Sequence, residues 1–275
     1  MTKNLDDKGL RSIINNYDFY FIDLWGVIHN GIELHKKAVE VLTQITKAKK
    51  NYVLLTNAPR PNSSVKIFLE KMGLDKVMRE KVYTSGQAAL SYLRLNHSSQ
   101  KFFHIGPPRD FDLFLDFQDK KTEDISKCDY FLCTGLYDQY DKNLDYYKKL
   151  LLNSISKKMI CTNPDLIVDR GKKREYCAGS VAKIFESLGG NVIYFGKPYP
   201  EVYNQAIKIN NNNNNKIIAI GDNLNTDIKG AINMNYDSLL ITNGIHMEEI
   251  SKVGISEVLK KYEANTTFLQ SELRW

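Results

Sequence analysis

Nine short runs of β-branched and aromatic residues, each ending in a polar or glycine-bearing turn, limit what this chain can fold into. They are FYFID (19–23), YVLLTN (52–57), KVYTSG (81–86), KFFHIG (101–106), DYFLCTG (129–135), KMICTN (158–163), NVIYFG (191–196), KIIAIGD (216–222) and SLLITNG (238–244). None alternates strictly, which is the pattern of strands buried on both faces of a parallel sheet. Helix-period segments lie between them. Glu33 to Lys50 carries Ala38, Val41, Leu42, Ile45 and Ala48 on one face. Pro61 to Met72 opens on proline and serines and closes before Gly73, the start and stop signals of a helix. Val181 to Leu188 and Pro200 to Ile209 read similarly. Such alternation predicts βα units, right-handed crossovers and an α/β fold with a doubly wound parallel sheet.

At 275 residues the chain has room for about two domains and a core that needs no staples. Lysine and arginine exceed aspartate and glutamate by 38 to 32. The excess is scattered and suits small anionic ligands as well as nucleic acid. With no recognition motif and no basic stripe carrying interleaved aromatics, no nucleic-acid partner is expected. Lys172, Lys173 and Arg174 read as a solvated turn, and the asparagine run Asn210–Asn215 as an expanded exposed turn rather than a binding loop. The four cysteines form no CxxC pair and no Cys/His ligand spacing, so neither zinc nor a disulfide framework is expected. No apolar stretch reaches the roughly 18 residues of a membrane span, and no signal peptide is evident. The expectation is a cytoplasmic protein without a membrane partner.

In open α/β sheets ligands bind beyond the carboxyl ends of the strands. Four strand ends supply a coherent set there: Asp23 in FYFID-LWGVIHNG, Thr56 and Asn57 after YVLL, Lys197 between Gly196 and Pro198, and Asp222 with Thr226 and Asp227 in GDNLNTD. Two carboxylates, Asp23 and Asp222, can share a hard divalent cation such as Mg²⁺. A lysine and a threonine hydroxyl beside it can hold phosphate oxygens. A carboxylate facing a bound phosphoryl group can attack it, giving an aspartyl-phosphate that water clears. Taken singly, each motif has an ordinary reading as a cap, a turn or a loop. Their combination, each on its own strand end, points to chemistry.

The motifs DLWGVIHNG, LLTNAPR, CTNPD, GKP and GDNLNTD, spanning about Tyr17 to Gly244, resemble those of haloacid dehalogenase superfamily hydrolases, subfamily IIA, the NagD-like phosphatases with a C2-type cap. The resemblance implies a Rossmannoid core of residues 1–83 and 194–275 with an inserted α/β cap over 84–193. It implies a hydrolase of a small phosphorylated metabolite, with Asp23 as nucleophile, Thr56 and Lys197 on phosphate, and Asp222 with Asp227 in support at a Mg²⁺ site. Homodimers through the cap are also in keeping with it.

One position departs from the family. The family pattern is Asp-x-Asp, whose second aspartate protonates the leaving oxygen and then activates water. Here that residue is Trp25. An indole is a donor only and transfers no proton at neutral pH, although its backbone carbonyl can still fill the metal-ligand role that the resemblance assigns. Three explanations stay open: a substrate with a good leaving group, a substitute such as the nearby His29, or a protein that binds a phosphorylated ligand in a regulatory role without efficient turnover. The ring itself reads as a packed aromatic beneath the cap rather than a stacking surface. In the cap, Asn163 and Asp165 of CTNPD should face the core across a cleft and touch substrate or phosphate. The N–H groups of Ala178-Gly179-Ser180 could cap an anion. Tyr137, Tyr140, Tyr146 and Tyr147 read as cap packing.

Overall fold

The computed structural model describes residues 2–170, 173–209 and 216–275. All nine apolar runs are strands. In chain order the strands are β1 (Lys3–Asn4), β2 (Phe19–Ile22), β3 (Asn51–Thr56), β4 (Val82–Thr84), β5 (Phe102–Ile105), β6 (Tyr130–Cys133), β7 (Lys158–Cys161), β8 (Ile167–Arg170), β9 (Lys173–Tyr176), β10 (Asn191–Tyr194), β11 (Ile217–Gly221), β12 (Asp237–Ile241) and β13 (Phe268–Gln270). Seven of them form one parallel sheet in the order β1-β13-β12-β11-β2-β3-β4. A second parallel sheet, β10-β7-β6-β5, is built from the middle of the chain.

The order of the large sheet places the site. From β2 the chain winds outward through β3 and β4, and from β11 it winds the other way through β12 and β13. Neighbours β2 and β11 therefore flank the point where the winding reverses, and their helices diverge there to leave a crevice. Every residue of β2 and β11 is buried, as two-sided coverage requires. Helix Lys36–Lys47 buries Ala38, Val41, Leu42 and Ile45, the face marked by its periodicity. Helix Ser85–Asn96 follows β4 directly, its first turn closed by the Thr84 hydroxyl accepting from the Gln87 N–H at 2.9 Å. One apolar cluster joins Phe19, Phe21 and Val53 of the large sheet to Ala88 and Leu93 of this helix and to Phe102 and Tyr130 of the second sheet.

Three features differ from the sequence reading or lie beyond it. Lys173 and Arg174 stand in β9 of an antiparallel hairpin with β8, not in a solvated turn; Lys172 lies outside the described residues, as do Asn210–Asn215. Arg174 is bound to Asp169 across the hairpin at 2.7 and 2.8 Å, which fixes it on the strand. Strands β1 and β13 are too short to announce themselves. The four tyrosines do pack together: Tyr140 stacks on Tyr146 at 3.7 Å, and the Tyr147 hydroxyl accepts from the Tyr137 N–H at 2.7 Å. Among the described residues no helix is long and apolar enough to cross a membrane.

Candidate active site

Asp23 follows the last residue of β2, and its N–H donates to Ile220 O of β11 at 2.8 Å, so it stands beside Asp222 across the reversal point. Asp222 follows β11, and a single widened helical turn, Leu224–Ile228, brings Asp227 back toward it. The carboxylate oxygens of Asp23, Asp222 and Asp227 lie within 4.8 Å of one another, and all three residues are buried. Small residues make room for them. A Cβ on Gly244 would stand 2.1 Å from Asp222 Oδ2, and one on Gly221 would stand 2.0 Å from Asp227 Cγ. Gly26 has φ +82 and would also bring a Cβ to 2.1 Å from Asp222 Oδ2. Gly26→Ala should therefore lose stability, by about 1–3 kcal/mol, for its strained backbone alone. Chemical denaturation of the variant checks this; an unchanged midpoint would mean that the loop relaxes freely.

Lys197 arrives from the segment after β10. Its ammonium donates to Asp23 Oδ1 at 2.5 Å and to Asp227 Oδ1 at 2.6 Å, with only 4% of the residue exposed. Asn57, beyond the end of β3, fixes that segment: its Oδ1 accepts from the Lys197 N–H at 2.7 Å and its Nδ2 donates to Lys197 O at 2.9 Å. Gly196 makes this approach possible, because a Cβ there would be 2.5 Å from Asn57 Oδ1.

Burial dominates the electrostatics. It pushes the Asp23 carboxyl well above the usual carboxylate range, with Lys197 opposing and Asp227 and Asp222 adding to the rise. Burial, then repulsion from Asp227, raises Asp222 to about 8 against the Ile245 N–H that bonds it. Burial works against the Lys197 charge, yet Asp227 and Asp23 hold it protonated above its ordinary value.

These groups line one narrow cavity of about 40 Å³, together with Trp25, Thr56, Asn57, Asp165, Asn223 and Thr226. The hairpin contributes Ile167 and Val168, and Ile245 completes the wall. The sequence reading brought Asp23, Trp25, Thr56, Asn57, Asp165, Lys197, Asp222 and Asp227 to this place and missed the apolar wall. Asn163 does not line the cavity; its Oδ1 accepts from the Asp165 N–H at 3.0 Å and shapes the loop that presents Asp165. The Gly179 and Ser180 N–H groups are bonded to Asp165 O and Cys177 O rather than offered to an anion.

Trp25 is neither a plain core aromatic nor an open stacking surface. Its indole N–H donates to Asp169 O of the hairpin at 2.6 Å, and its ring meets the His29 ring edge-on at 5.0 Å. It thereby ties the hairpin down over the site. His29 is 2% exposed, accepts from the Gly31 N–H through Nδ1 at 3.0 Å, and is not among the cavity-lining residues.

Two family models match the chain: a haloacid dehalogenase-like hydrolase over residues 20–117 and a second, haloacid dehalogenase hydrolase-like, over residues 194–267. An acid sugar phosphatase of Staphylococcus saprophyticus is 25% identical over 268 residues, covering 91% of this chain and all of that one. A 5′-nucleotidase of Bacillus subtilis is 24% identical, covering 86% of this chain and 90% of its own. A haloacid dehalogenase-like hydrolase from Brucella suis has the same fold, with TM-score 0.84 and 29% identity over 96% of this chain and 98% of that one. The two matched stretches carry the Asp23, Thr56, Lys197 and Asp222 strand ends. This chain belongs to the haloacid dehalogenase-like hydrolases, in keeping with their subfamily IIA, and is a phosphatase-type hydrolytic enzyme.

Proposed function

We propose that the chain is a Mg²⁺-dependent hydrolase of a small phosphorylated metabolite that works through an aspartyl-phosphate on Asp23. The observation that carries this reading is the Lys197 ammonium, held 2.5 Å from Asp23 Oδ1 in a cavity that also presents Thr56, Asp222 and Asp227. The donor set fits the ion. Three buried carboxylates against one ammonium leave excess negative charge. Asp23, Asp222 and the Trp25 backbone carbonyl would hold Mg²⁺, with Asp227 in support. Bound there, the ion would offset charge on the phosphoryl oxygens and orient them.

The rest falls to the chain's own residues. Asp23 attacks phosphorus, the ester oxygen leaves on the far side, and water later cleaves the acyl phosphate. Lys197, charged and immobile, offsets the negative charge spread over the transferring group. Thr56 donates to a phosphoryl oxygen, and Asn57 keeps Lys197 in place. Asn163 and Asp165 bound the substrate from the cap side, Asn163 through the turn it sets. The hairpin residues Ile167 and Val168 wall the cavity where the organic part of the substrate would lie. The relatives named acid sugar phosphatase and 5′-nucleotidase support a small phosphate monoester as substrate.

A Mg²⁺-dependent activity screen over phosphosugars, nucleotides and acyl phosphates tests the reading. Trp25 favours a second one, a regulatory protein that binds a phosphorylated ligand. Tight binding with negligible hydrolysis across the panel would put it in place of the first.

The carboxyl shifts give a pH dependence with a definite sign. Below about 8 the free site holds a proton on Asp222 that a metal must displace. Mg²⁺ affinity should therefore weaken as pH falls from 8 to 6, by up to about tenfold per unit. Calorimetric titrations at the two pH values, in buffers of different ionisation enthalpy, should also record proton release. Equal affinity without release would refute this account of the site.

A further inference from the structure

We propose that Asp165 is the proton donor to the leaving group and the base that then activates water, in the role left vacant at Trp25. The inference rests on the phosphatase reading above and adds a catalytic residue to it.

Four carboxylates line the cavity: Asp23, Asp222, Asp227 and Asp165. The first three form the close buried cluster, two of them bonded to Lys197 and the third to the Ile245 N–H. Asp165 lies outside that cluster and enters from the inserted unit. Its Oδ1 accepts from Asn57 Nδ2 at 3.2 Å, and Thr226 lines the same cavity. Asn57 and Thr226 are polar but not acidic, so neither takes its proton away.

The other groups that could move a proton are committed elsewhere. The His29 ring is buried between Trp25 and Phe68 and does not line the cavity. The His246 Nε2 accepts from the Leu224 N–H at 3.2 Å and lies outside the lining too. Lys197 is bound between two carboxylates, and the Trp25 N–H is given to Asp169 O.

The loop that carries Asp165 is built for position. Asn163 Oδ1 accepts its N–H, and its own carbonyl accepts from the Gly179 N–H at 3.1 Å. A Cβ on Gly179 would be 2.3 Å from Pro164 O and 2.5 Å from Asp165 O, so the following helix is pressed against the loop. The Ser180 hydroxyl closes it further by donating to Leu166 O at 2.6 Å. The charged groups that face Asp165 are Lys197, Asp227 and Asp222 from the core, with the Cys161 and Cys177 thiols beside it in the inserted unit. Burial raises its carboxyl to about 6, with Lys197 opposing, which suits acid–base work near neutrality.

The steps balance. The Asp23 oxygen bonds to phosphorus, the ester P–O bond breaks, and the Asp165 proton passes to the departing oxygen to give the alcohol. Asp165, now a carboxylate, takes a proton from water as the water oxygen bonds to phosphorus. The P–O bond to Asp23 breaks, and inorganic phosphate leaves with both aspartates restored.

The test compares an alkyl phosphate with 2,4-dinitrophenyl phosphate, whose phenolate leaves without a proton, on the full chain with Mg²⁺. Asp165→Asn should lower alkyl phosphate turnover by about 10²–10⁴-fold. With the aryl ester it should release a burst of one equivalent of phenolate at the wild-type rate and then slow, because water attack has lost its base. The wild-type fall in alkyl kcat/KM with rising pH should vanish in the variant. Asp165→Ser should divide the two substrates in the same way, and both variants should melt within a few degrees of the wild type. Unchanged alkyl turnover, or equal losses on both esters without a burst in a folded variant, overturns the assignment. Asp23→Asn separates the two proposals, since it must abolish the burst itself. If the wild type hydrolyses neither ester, the phosphatase reading falls and this assignment falls with it.

Discussion

Asp23→Asn is expected to reduce phosphate ester turnover by at least about 10⁴-fold, since the loss of an attacking group leaves only binding and electrostatics to act. The fold should survive. The amide still accepts from Lys197, whose second partner Asp227 is untouched, and the variant removes a negative charge from a buried cluster that has one too many. Thermal stability should be equal or higher, because an uncompensated buried charge is costly. Activity on 4-nitrophenyl phosphate and a melting curve measure both sides. Turnover within tenfold of the wild type would exclude Asp23 as nucleophile, whatever happened to the stability.

Lys197→Met should do the opposite to stability. It keeps the unbranched side chain, one atom shorter, and removes the ammonium, leaving Asp23, Asp222 and Asp227 together without a counter-charge. Breaking a buried pair from one side costs about 3–5 kcal/mol, and loss of the charge facing the phosphoryl group should cost a further 10²–10³-fold or so in turnover. Protonation relieves the stranded carboxylates, so the stability deficit should shrink as pH falls. Mg²⁺ should raise the melting midpoint more in the variant than in the wild type, since the ion supplies the missing charge. Denaturation at two pH values, with and without Mg²⁺, is the measurement. A deficit that does not depend on pH or on the ion would place the lysine's contribution in packing rather than in charge.

The two variants test different layers of what the sequence contained. Burial on both faces leaves an unmistakable trace: strands such as FYFI and IIAIG have no polar position, because each side of the sheet is covered. The end of each such strand is legible too, since the first polar residue after an apolar run marks where the chain emerges into the crevice. Asp23, Thr56 and Asp222 are all of this kind. Trp25 could be read as a departure from a family pattern, and its inability to pass a proton follows from the indole alone. What the ring does instead is bond to a carbonyl 144 residues away, which no local pattern encodes.

The hairpin was hidden for a related reason. Its strands are only four residues each, β9 is mostly exposed and rich in charge, and the LysLysArg run reads as a solvated turn until Asp169 is found opposite Arg174. Asn163 illustrates the same limit at one residue. The motif places it near the cleft, but a hydrogen bond to the Asp165 N–H turns its side chain to shaping the loop.

The chain alone thus settled which residues end buried strands and therefore which groups can reach a common crevice. This follows because side-chain periodicity and the abrupt change from apolar to polar are written locally. The tertiary structure decided which of those groups are spent on one another, through the reversal of winding between β2 and β11, the Lys197 bridge and the hairpin tied to Trp25. Hydrogen-bond partners and desolvation are properties of pairs distant in sequence, and they exist only once the fold has brought the pairs together.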